Sequence, residues 1–170
     1  MRAVTRSLSS FGFDAVDLND VAAGDGLLFV RNAVGMAGRG VAAQVAIDDA
    51  AAVLADIDHR VEGIEGADGT VGPVAIGSVP FLPGAAGVAT VPDVLVRKHP
   101  SGSTTVTVVT NDDATDDVTT RLATEALAGC RPAVASAATW SLAPAVDIDH
   151  YLAAVAAARD AVRAGELTKA

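Results

Sequence analysis

Two periods run through this chain, an alternation of apolar and polar positions and a helical recurrence of apolar ones, and together they predict its elements. Residues 26–34, Gly-Leu-Leu-Phe-Val-Arg-Asn-Ala-Val, have the β-rich composition of a buried strand, and residues 41–47 read as a second. Gly35, Gly38 and Gly40 surround Arg39 between them, so the pair reads as a hairpin turning at the glycines. Asp48 and Asp49 are placed to cap a helix running from Ala50 to His59, with His59 at its negative pole. Strands follow at residues 73–81, 88–97 and 104–110. Pro92, lacking an N–H, belongs at an edge, a bulge or a strand start. Thr104 to Thr110 alternates Val with Thr and predicts a strand with one face buried.

Two further helices are predicted. One starts at Asp116 or Asp117 and ends at Gly129, with Val118, Leu122 and Ala126 inward. The other opens on Asp147 as N-cap, places Ile148, Tyr151, Leu152, Val155, Ala158 and Val162 on one face, and stops at Gly165. Residues 130–146 read as an Ala-rich linking arm with Trp140 as a packing anchor. Residues 1–25 read as a solvated, acidic opening segment anchored by Phe11 and Phe13. The hairpin-like turns argue for an α/β domain of the α+β type, a mostly antiparallel sheet over about residues 26–110 covered by helices. Two regions are expected: residues 1–146 as an α+β scaffold, and 147–170 as a helix beginning a further core.

Composition narrows the function classes. The chain is 51% hydrophobic but only 4% aromatic, so its core is built from Ala, Val and Leu. A formal net charge of −9 without clustered Lys or Arg excludes nucleic-acid binding and disfavours anionic membrane surfaces. No apolar run reaches the length of a membrane-spanning helix or forms a signal peptide at Met1, so a cytoplasmic, non-membrane protein is expected. Cys130, the single cysteine, forms no internal disulfide and reads as a small hydrophobe rather than a nucleophile.

Three motif-like stretches fail on spacing. Asp14, Asp17, Asn19 and Asp20 lack the central Gly and terminal Glu of a calcium loop. Gly-Met-Ala-Gly-Arg-Gly at 35–40 is followed by neither Gly-Lys-Ser/Thr nor a helix, as a phosphate loop would be. His59, His99 and His150 show no metal-ligand spacing. No metal site is expected.

Three segments in order resemble the N-terminal portion of the isochorismate synthases, of the chorismate-utilising enzyme superfamily. Residues 27–42 are similar to the family's opening hairpin. Val74 to Phe81 followed by Val91 to Arg97 resembles its x-Pro-Phe strand and its Val-Pro-x-x-x-Val-Arg return strand, with Leu82 where the family has Asp. Tyr151 to Lys169 looks like the helix and Gly-x-Leu-x-Lys step that lead into the catalytic core.

The resemblance implies the isomerase reaction of chorismate to isochorismate, in menaquinone or siderophore biosynthesis. A lysine is the general base that activates water, a glutamate is the general acid, and Mg2+ held by other glutamates binds the substrate carboxylate. Lys169 matches the base. The other groups belong to segments beyond it, so the chain is expected to be a truncated form or one part of a split enzyme, inactive alone and binding no Mg2+ by itself. No substrate-binding residue is assigned, and Glu166 is read as solvated. The partners implied are chorismate in the full-length family, and a separate C-terminal catalytic chain or self-association. The alternative is a non-catalytic partner-binding or assembly module of the same descent.

Overall fold

The computed structural model describes residues 1–64, 71–81, 85–111, 113–130, 139 and 141–169. Its strands are β1 Arg2–Ser7, β2 Leu27–Arg31, β3 Val34–Arg39, β4 Ala43–Ala46, β5 Asp58–Val61, β6 Ile76–Ser78, β7 Val88–Val91, β8 Val94–Lys98 and β9 Thr104–Thr110. Its helices are α1 Leu18–Ala22, α2 Ala50–Ala55, α3 Asp116–Ala128 and α4 Ile148–Arg163. The chain divides into two compact units, Met1–Val134 and Ala135–Ala170. The first carries two sheets: a six-stranded one ordered β2-β3-β8-β9-β1-β5 and a three-stranded one ordered β4-β7-β6. Among the described residues only β1 with β5 is parallel; the remaining pairs are antiparallel. The α+β class expected from the turns is the class observed.

The opening segment is the main correction. Residues 2–7 are not solvated but form β1, next to the sheet's middle, with Val4 opposite Val108 and Thr5 opposite Thr107. Alternation explains why this strand hides in the sequence. Ala3 and Thr5 face one side; Arg2, Val4 and Arg6 face the other, where the two arginines fasten β1 to its surroundings. Arg2 donates to the Ala114 carbonyl (3.0 Å) and pairs with Asp116 (2.9 Å). Arg6 pairs with Glu62 (2.7 Å) and donates to the Thr120 hydroxyl.

On that side lies the larger core. Val94, Val96, Val106, Val108 and Ala37 of the sheet meet Leu8, Phe11, Leu18 and Val21, also from the opening segment, and Ala123 and Leu127 of α3. The buried residues of α3, Thr119, Ala123 and Leu127, are spaced by four, a narrow stripe. The other side is covered as well. Ala3 and Val109 pack with Val91 of the small sheet and Ile57. Thr105 to Val109 are therefore all buried, and the expectation of one wet face on this strand is corrected.

Three boundaries also move. The hairpin turns at Asn32-Ala33, both with positive φ (53° and 61°), so the glycine run lies inside β3 rather than in the turn. Gly38 is needed there for close approach, because a Cβ would stand 2.8 Å from the Pro92 side chain. Residues 88–97 split at Pro92-Asp93, the corner where the chain passes from the small sheet to the large one. The helix from Ala50 stops at Ala55, and His59 is a strand residue instead of a helix cap.

The second unit carries α4, capped as expected by Asp147, whose carboxylate accepts from the N–H groups of Asp149 and His150. None of its residues is buried. The packing expected of Trp140, most of the arm at 130–146, and parts of the loop at 62–72 and the turn at 83–87 lie outside the described residues. Among the described residues no helix is long and apolar enough to cross a membrane.

Candidate functional site

Lys169 is the residue the sequence singles out. It stands after the end of α4 and the left-handed Gly165 (φ 78°), in the second unit, and is exposed. Among the described residues no hydrogen bond or ion pair reaches it. Glu166 is exposed too.

The chain's own polar chemistry lies elsewhere, in a row that register builds across the large sheet. Side chains two apart on β9 share a face, so Thr105 and Thr107 point the same way. Thr5 stands opposite Thr107 and their hydroxyls are 2.8 Å apart. On the parallel neighbour of β1, His59 brings its Nε2 to 2.8 Å from the same Thr5 hydroxyl. The result is an imidazole–hydroxyl–hydroxyl chain from strands β5, β1 and β9. A second cluster adjoins it: His99 Nε2 is 3.0 Å from the Thr105 hydroxyl, and Arg97 stands opposite Thr105 in the ladder.

Thr5, Thr105, Thr107 and His99 are all buried. Burial lowers the His59 pKa from its ordinary value, with Asp58 opposing, so its ring is neutral at pH 7. Burial also lowers that of the Arg97 guanidinium, without removing its charge. Gly72 lies against the His59 ring; a Cβ there would be 2.7 Å from Cε1, and its φ is +123°.

Chemically, such a chain can satisfy buried polar groups or pass a proton. The first use fits, because each hydroxyl is matched within the row. Sequence reasoning missed this network. The available signal was the Val and Thr alternation of residues 104–110, whose threonines must find partners once both faces of the strand are buried.

A cavity of about 500 Å³ opens at the end of β9 and the start of α3. Its lining includes Val109, Asn111, Asp113, Val118 and Asp93. The size suits a small molecule, but its carboxylates disfavour a dianion such as chorismate. Asp93 is already occupied in part, accepting from the Val41 N–H at 3.0 Å. Cys130, half-buried, donates its thiol to the Ala126 carbonyl, and burial pushes its pKa up, as suits an inert packing residue.

Magnesium was tested against the donors present. Among the described residues no group of three or more His, Cys, Asp and Glu side chains could hold a metal ion. The donors among the described residues do not fit the ion. Compared with protein-family models, curated proteins and solved structures, the chain matches none.

Proposed function

We propose that this chain is the N-terminal, sheet-bearing portion of an isochorismate synthase-like enzyme. It is inactive by itself and serves as scaffold for a catalytic segment that supplies the general acid, the magnesium glutamates and the chorismate-binding groups. The observation that supports this reading is the pairing of β3 with β8. Two of the three family-like stretches, residues 27–42 and 91–97, are far apart in sequence yet neighbours in one ladder, Gly38 opposite Leu95 and Met36 opposite Arg97. In this reading Lys169 is the general base, and it acts only once the catalytic segment supplies the groups that complete the site.

A second reading, a partner-binding or assembly module of the same descent without catalysis, draws on α4. Ile148, Tyr151, Leu152 and Val155 form an apolar stripe that is half-exposed or more along its length. One experiment separates the two. Chorismate conversion is assayed with Mg2+ for the chain alone and after adding the catalytic segment of an isochorismate synthase. The enzyme reading expects no turnover alone, turnover on complementation, and a loss of at least about 100-fold with Lys169→Ala. Binding of the added segment without turnover supports the assembly module; neither binding nor turnover overturns both.

A further inference from the structure

Among the described residues, strand β2 closes one end of the large sheet, and Arg31 at its end is the one charged side chain on it. It contains no proline, no lysine and no bulge, its register with β3 being continuous from Leu27↔Gly38 to Arg31↔Val34. The opposite edge, β5, differs: Asp58, His59 and Arg60 place charge and a polar ring along it. On β2 the three residues before Arg31 are apolar and exposed on both faces, Leu28 at 45%, Phe29 at 68% and Val30 at 42%.

The hairpin tells which main-chain groups are open. A two-residue turn with positive φ at Asn32 and Ala33 makes Arg31 and Val34 the hydrogen-bonded closing pair. Alternation then sends the amides of Phe29 and Leu27 toward β3, and leaves the N–H and C=O groups of Leu28 and Val30 pointing outward.

We propose that β2 is an interface between two copies of this chain, paired antiparallel about a two-fold axis through Phe29. In that register Leu28 of each copy meets Val30 of the other as a hydrogen-bonded pair, and the two Phe29 side chains meet in the close, non-bonded position. The outward groups of both strands are used up, so the contact closes at two copies and does not propagate.

Charge selects a second copy over an unrelated strand. Arg31, exposed, makes no ion pair among the described residues. The same register sets Arg31 opposite Leu27 of the second copy, two residues along from Asp25 in the turn that precedes that strand, twice by symmetry. Asp25 is exposed, and its one described ion-pair contact is a distant Arg39 at 3.8 Å. A chain of net charge −9 repels its own kind in general, and this end of the sheet offers a complementary exception. The inference uses the main chain of the first unit and is independent of the family reading.

The test is register-specific cross-linking of the full chain in a Cys130→Ser background. Mild oxidation of Phe29→Cys should give a disulfide dimer at least about ten times faster than Leu28→Cys, whose counterpart in the second copy is not opposite it. In parallel, light scattering on the native chain at high micromolar concentration should give a mass near twice 17.0 kDa. Val30→Pro removes only an outward N–H, so a folded variant should self-associate at least about tenfold more weakly.

A monomer at high concentration, equal cross-linking of the two cysteine variants, a folded Val30→Pro variant with unchanged dimerisation, or open-ended aggregates would each overturn the proposal. If Val30→Pro fails to fold by circular dichroism, the cross-linking comparison decides alone.

Discussion

Thr5 joins three strands through one hydroxyl. Its hydroxyl meets both His59 and Thr107, and its neighbours leave it no water. Thr5→Val keeps the shape but strips the buried Thr107 hydroxyl and the half-buried His59 ring of a partner, which costs about 1–3 kcal/mol. Urea unfolding of the variant reads this directly. His59 adds a pH dependence whose sign follows from its lowered pKa. The unfolded imidazole takes a proton more readily than the folded one, so the stability His59 contributes is full above 6.5 and is lost as the pH falls from there through the lower folded-state value. A thermal midpoint that declines across that window in the native chain, and declines less in His59→Gln, is the expected result; equal slopes would remove His59 from the account. None of this was legible in the sequence, because residues 5, 59 and 107 meet only through the register of three strands. Lys169 was legible only through resemblance.

Elements were legible where one signal dominated, and were misplaced where two competed. Thr104 to Thr110 and the cap of α4 came through because alternation and capping chemistry are local. The hairpin moved because three glycines outweighed Asn32-Ala33 on paper, whereas the tight turn of a two-residue hairpin needs positive φ at both of its central positions. Ala33 takes up that conformation against its own preference. Ala33→Gly is therefore expected to stabilise the first unit by about 1 kcal/mol, measured by denaturant midpoint. The opposite outcome is expected for Asp147→Ala. It removes the acceptor for two amides at the start of α4 and costs about 0.5–2 kcal/mol of helix stability, visible as lost ellipticity near 222 nm. The strand β1 was missed for a different reason: its arginines look like surface, yet they lie along the sheet and reach α3.

For the first unit as a whole, the sheet depends on residues that composition assigned to the periphery. β1 lies between β5 and β9, and both Ala3 and Val4 are fully enclosed. Removing residues 1–7 would leave the β5 and β9 ladders without the strand between them and open both faces to water. The expected outcome is loss of cooperative unfolding, checked by comparing calorimetric traces of the shortened and native chains. The sandwich of a large and a small sheet was not legible because one continuous run, residues 88–97, serves both. Only the buried Pro92 marked the corner.

The position of β1 also governs how the molecule comes together in time. Its antiparallel ladder runs from Arg2↔Thr110 to Ser7↔Thr105, so β1 gains its short parallel partner β5 first and its longer partner β9 only after some hundred residues of chain. Such long-range closure gives a high contact order and a slow transition, with refolding in milliseconds to seconds rather than microseconds. In the interval Ala3 and Val4, on opposite faces of β1, lack the β9 neighbours Val109 and Val108 that stand opposite them in the folded sheet. The N-terminal strand is therefore the part of the chain most in need of a chaperone's cover during synthesis.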